Sequence, residues 1–151
     1  SVVASRDGVD VAENSQGDAP TFIRRVSDGR QLAALDPSVK VLAFSGDDNL
    51  VLASNGFDTN MQSAGLLVVR WSTDLPIWTY RGLDALGSFT AQPDGKGFAI
   101  AFMSLTRLEP SPCGSAPQTP CHTVEDPLRD IVIVHGDGSE TKIPGRYTTT
   151  W

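Results

Sequence analysis

Ala91-Gln92-Pro93-Asp94-Gly95-Lys96-Gly97-Phe98-Ala99-Ile100-Ala101 places a tight turn between apolar runs. Proline presets φ at the first turn position, aspartate bonds the backbone ahead of it, and glycine accepts a left-handed conformation. Two related turns precede it: Ser5-Arg6-Asp7-Gly8 and Ser45-Gly46-Asp47-Asp48. The aspartates at 7, 47 and 94 are 40 and 47 residues apart. A second series interleaves with the first. Phe22-Ile23-Arg24-Arg25-Val26 leads through Ser27-Asp28-Gly29 to Gln31-Leu32-Ala33-Ala34-Leu35. Leu67-Val68-Val69-Arg70-Trp71 leads through Ser72-Thr73-Asp74 to Ile77-Trp78-Thr79-Tyr80. Ile131-Val132-Ile133-Val134-His135 leads through Gly136-Asp137-Gly138-Ser139 to Thr141-Lys142-Ile143. A β-branched or aromatic run, a turn and a second run make a hairpin.

The order is hairpin, hairpin, three times over. Strands are predicted at 2–5, 9–12, 21–26 and 31–35, then 39–44, 49–54, 66–71 and 77–80, then 88–91, 98–103, 130–135 and 141–143. Four short antiparallel strands in about 40–45 residues is the period of a β-propeller blade. The segments 31–35 and 59–64 could each form a helical turn, but both are too short for an independent helix. The 44–53 stretch resembles the Ser-Pro-Asp-Gly-Lys first hairpin of WD-repeat and related bacterial propeller blades, and 91–101 resembles it more closely. Val69–Asp74 and Arg25–Arg30 resemble the second hairpin of such blades. The likeness spans the chain except roughly 104–129, although the Gly-His and Trp-Asp dipeptides of true WD repeats are absent. It implies an all-β fold with blades at roughly 1–36, 37–82 and 83–147, and it does not choose among functions.

The chain has 151 residues and a net charge of −6, with 40% apolar and 20% charged residues. This is the composition of one globular unit. The acidic balance argues against a nucleic-acid partner, because phosphate neutralisation needs clustered Lys and Arg. No apolar run approaches the roughly 18 residues of a membrane span.

Closing a propeller takes about 4–8 blades, and this length holds about three. Three arrangements meet the requirement that blade faces be covered. The chain is a piece of a longer protein, or several chains assemble into one ring, or the strands close as a small β-sandwich or barrel. The first two imply a protein partner, a second propeller segment or a homo-oligomer.

In a four-strand meander, the first-to-second and third-to-fourth turns share one face. Here they are uniformly tight. The second-to-third loops at 13–20, 55–65 and 104–129 are long and share the other face. Long loops on a rigid scaffold commonly carry binding residues. Phe57 and Met61 stand out in a polar loop, either as anchors for a partner or as the loop's own small core. Their neighbours Asp58 and Asn60 join them as candidate binding residues, with Arg107 and His122 from the longest loop.

That loop holds five of the ten prolines and both cysteines. Cys113 and Cys121 flank seven residues, and a local disulfide is the simplest reading. It would contribute roughly 2.5 kcal/mol, mostly through the unfolded chain, and would place the protein outside the cytosol. Two free thiols are the alternative. A metal site with His122 is a third reading, but the cysteine spacing is long for zinc and no fourth ligand is evident. No metal or cofactor is expected.

Catalytic patterns are sparse. There is no Gly-x-Ser-x-Gly elbow and no phosphate-cradling loop. His135 reads as a turn residue with a half-buried ring. Asp47-Asp48 could be a carboxylate pair, although adjacent turn acids usually cap the turn. Alternation puts Trp78 and Tyr80 on one sheet face, where blade-to-blade packing is expected. The sequence therefore reads as a non-catalytic recognition or assembly module, with a piece of a propeller enzyme as the alternative.

Overall fold

A computed structural model describes residues 1–55, 65–80, 85–92, 94–103, 111–112, 120–121 and 128–144. Three four-stranded antiparallel sheets follow one another along the chain. Blade 1 comprises β1 (Val2–Ala4), β2 (Asp10–Glu13), β3 (Thr21–Arg25) and β4 (Gln31–Leu35). Blade 2 comprises β5 (Val39–Phe44), β6 (Leu50–Asn55), β7 (Gly65–Arg70) and β8 (Leu75–Tyr80). Blade 3 starts with β9 (Ala85–Ala91) and β10 (Phe98–Met103). A two-residue hairpin follows, β11 (Ser111–Pro112) with β12 (Pro120–Cys121), before β13 (Leu128–Val134) and β14 (Glu140–Ile143) complete the sheet. The first strands of successive blades, β1 with β5 and β5 with β9, are neighbours, as in a propeller. The small-sandwich alternative is set aside by this arrangement.

The turns repeat at atomic detail. In blade 1 the Ser5 hydroxyl donates to Asp7 Oδ1 at 2.8 Å, and the Val9 N–H donates to the same oxygen at 3.0 Å. Ser45 and Asn49 repeat both bonds to Asp47 in blade 2. Asp94, Asp28 and Asp137 accept from the backbone N–H two residues on in their own turns. Each aspartate thus closes its hairpin with a side-chain bond that water would otherwise take.

Blade 2 is covered on both faces, which explains the uninterrupted apolar run in β6. Leu50, Leu52, Leu66, Val68 and Trp78 pack against Phe98, Ile100, Phe102, Val132 and Val134 of blade 3. Val39, Val41, Val51, Ala53 and Val69 pack against Ala12, Ile23 and Leu35 of blade 1. Period-two alternation sends successive residues of one strand to two different cores.

Gln31–Leu35 is strand, not helical turn; 59–64 lies outside the described residues. Val9 belongs to the exposed turn, so β2 begins at Asp10. Trp71 leaves the strand at the β7–β8 turn, where its indole N–H donates to the Asp48 carbonyl. Trp78 and Tyr80 share a face as expected, with ring centroids 6.3 Å apart, and Tyr80 meets Phe102 of blade 3 at 4.3 Å. The β11–β12 hairpin is not predicted from the sequence, because proline-rich dipeptides carry no alternation.

Candidate functional site

The two ends of the blades differ in chemistry. At the tight-turn end, the first turns of the three blades meet. The Asp47 N–H donates to the Gly95 carbonyl at 2.8 Å. A Cβ on Gly46 would lie 2.8 Å from the Gly95 Cα, so the backbones of blades 2 and 3 touch there. On the other side, the Asp48 carboxyl meets the Asp7 carboxyl of blade 1.

Asp48 is an exception in its series. Gly8 and Gly95 occupy the left-handed position of the first turns of blades 1 and 3 with φ of 73 and 77°. Asp48 holds φ of 59° with a side chain attached. Its Oδ1 is buried and receives no hydrogen bond. Burial, then the charge and hydrogen bond of Asp7, and the charges of Asp10 and Asp47, push its carboxyl up to about 6. Asp7 moves the other way: the Val9 N–H and the Ser5 hydroxyl hold it below the usual carboxylate range, and Asp48 adds to this. Below about pH 6 a protonated Asp48 can thus donate to an ionised Asp7. Among the described residues, no three acidic, imidazole or thiol groups converge to hold a metal ion.

At the opposite end, blade 1 is fastened to blade 2 by side chains reaching the backbone. Asn14 Nδ2 donates to the Val41 carbonyl at 2.8 Å, and Asn14 Oδ1 accepts from the Val41 N–H at 2.7 Å. The amide thus stands in for a strand partner on the free edge of β5. The Thr21 hydroxyl donates to the Val39 carbonyl at 2.7 Å, and Lys40 Nζ donates to the Ser15 carbonyl at 2.7 Å. The bases of the long loops open at this end. Asn55 pairs with Gly65, and Met103 pairs with Leu128.

Phe57, Asp58, Asn60, Met61, Arg107, His122 and Cys113 lie outside the described residues, and Cys121 is described only as part of β12. His135 is half-buried, with Nε2 2.9 Å from the Thr141 hydroxyl, as a turn residue would be. Asp47 and Asp48 are neighbours in one turn, but the carboxyl that Asp48 meets is Asp7, in another blade. The signal in the sequence is the replacement of the turn glycine by Asp48.

No protein-family model and no curated protein matches the chain. Among solved structures, hydrazine synthase of Kuenenia stuttgartiensis superposes with a TM-score of 0.57 at 13% identity, over 95% of this chain and 41% of that one. The β-propeller domain of the Trilobed protease from Pyrococcus furiosus gives 0.45 at 12% identity, over 93% and 41%. The WD40 repeats of RRP9 give 0.48 at 12% identity, over 95% and 50%. The chain spans about half or less of these proteins. At such identities the likeness concerns the fold, which is that of β-propeller blades.

Proposed function

We propose that the chain is a recognition and assembly segment of a β-propeller. Its three blades carry long loops toward a protein or small ligand and are completed by other propeller blades, from a second chain or from further polypeptide of its own. The observation that supports this most is the far face of blade 3. Ala101, Ile131 and Ile143 lie in register across β10, β13 and β14, and so do Ala99 and Ile133. Ile131 is 38% and Ile143 44% exposed. On blade 2 the face with the same orientation is filled by blade 3. Leaving such a face wet forgoes about 25 cal/mol per Å² of apolar area.

Sedimentation at micromolar concentration tests completion. Association of the chain with itself or with an added propeller segment supports the reading. A stable, cooperatively melting monomer that binds neither overturns it. Recognition is assigned to the 55–65 and 104–129 loops. Replacing Phe57 and Met61 by Ala should weaken partner binding with the melting temperature nearly unchanged, whereas a large loss of stability would assign them to a core. The reading includes a Cys113–Cys121 bridge and an extracytoplasmic location. The bridge rests on the two cysteines flanking seven residues of one loop. Alkylation of both thiols without prior reduction would exclude it.

A further inference from the structure

The seam between blades 1 and 2 is built differently at its two ends. At the long-loop end, Asn14, Thr21 and Lys40 tie it with four hydrogen bonds, none involving a carboxylate. At the tight-turn end, the Asp7 and Asp48 carboxyls meet across the seam. Asp48 cannot swing away from it easily. Its backbone is in the left-handed region, its carbonyl accepts from the Trp71 indole, and the adjacent Asp47 N–H is held by Gly95 of blade 3. The unpartnered, buried Oδ1 leaves no donor to compensate a second negative charge. We propose that this seam is a pH-gated hinge: blades 1 and 2 are fastened at the long-loop end and latched at the tight-turn end by one proton shared between Asp48 and Asp7, so that the latch closes in mildly acidic solution and loosens as the solution turns neutral.

The charges of Asp7, Asp10 and Asp47 all oppose ionisation of Asp48. Asp7 and Asp10 face it from blade 1, and Asp47 from its own turn. The Trp71 side, from the β7–β8 turn, offers an indole, and the blade 3 turn offers the Gly95 backbone. Ionisation of Asp48 therefore converts a carboxyl–carboxylate hydrogen bond into repulsion between two turns. The folded state binds the proton more tightly than the unfolded chain. The stability associated with Asp48 is then fully present below its ordinary range near 4, and it is lost as pH rises through about 6. The inference concerns the joint between two blades of this chain and holds whatever completes the propeller.

The test is a pH series of melting temperatures for the wild-type chain, Asp48→Asn and Asp48→Gly. Carbon NMR of the Asp48 carboxyl and the Trp71 indole resonance are followed in the wild type. Asparagine keeps a donor toward Asp7 without ionising, and glycine restores the residue found in the sister turns. Both variants should melt a few degrees above wild type at about pH 7.5, with the gap narrowing by about pH 5. The Asp48 carbon and the Trp71 indole should titrate together with a midpoint near 6. A gap that does not change with pH, or an Asp48 midpoint in the ordinary carboxylate range, overturns the latch.

Discussion

Single side chains set the spacing and pairing of the blades here, and adjacent ones can act in opposite directions. Burial alone would raise the Asp47 carboxyl, but the Ser45 hydroxyl and the Asn49 side chain and N–H outweigh it and lower it. Its contribution is therefore present above the ordinary carboxylate range and lost as pH falls through its lowered value. Asp47→Ala should cost about 1 kcal/mol at neutral pH through the lost turn bonds. Urea titration should show this difference closing in acid, the reverse of the behaviour expected at Asp48. Asn14→Ala should be more damaging, about 1–3 kcal/mol, because it strips partners from both backbone groups of the buried Val41. Of these residues, Asp47 was legible in the sequence, since an Asp two residues after Ser in a turn has a local job. Asn14 and the Asp7–Asp48 contact were not. Their partners lie 27 and 41 residues away, and no local pattern encodes which backbone or carboxyl a side chain will meet.

At the scale of elements, the strands were the most legible part. The segments 31–35, 39–44 and 98–103 fold as strands with the expected limits, since alternation and bounding turns agree there. Others shift by one to three residues, because turn hydrogen bonds and bulges decide where pairing begins. The turns themselves divide into two kinds that sequence does not separate. A Cβ on Gly8 would meet nothing within 4 Å, so Gly8→Ala should cost only the left-handed backbone, about 1–2 kcal/mol. A Cβ on Gly138 would lie 2.4 Å from the Ile77 carbonyl oxygen, in the neighbouring blade. Gly138→Ala should add an overpacking cost of about 1–3 kcal/mol and push β14 off β8. Trp78 anchors the same junction, its indole donating to Glu140 at 2.8 Å. Chemical denaturation of the two variants measures the difference; equal losses would mean that the β13–β14 turn does not bear on blade 2.

For the whole molecule, the two end faces of the three blades are not alike, and this would give the proposed assembly a direction. On the far side of blade 1, Arg24 Nε meets Glu13 at 2.9 Å and its guanidinium lies 5.2 Å from the Phe22 ring centroid. The paired positions on blade 2 are Val69 with Val51, and Leu67 with Ala53, all apolar. An ion pair half open to water is worth little as a bond but costs desolvation if another sheet covers it. The far side of blade 3 has no such charge among Ala99, Ala101, Ile131, Ile133 and Ile143. Additional blades should therefore bind the blade 3 face more strongly than the blade 1 face. Ile131→Asp with Ile133→Asp places two carboxylates where an apolar neighbour would pack, and should abolish association in light scattering. The wild-type reference is the complex that the proposed completion predicts at micromolar concentration. Glu13→Ala with Arg24→Ala removes the charges over Phe22 and should leave that association intact or strengthen it. If the blade 1 variant dissociates the complex while the blade 3 variant does not, the direction is reversed. If neither variant has any effect, the end faces are not where the propeller is completed.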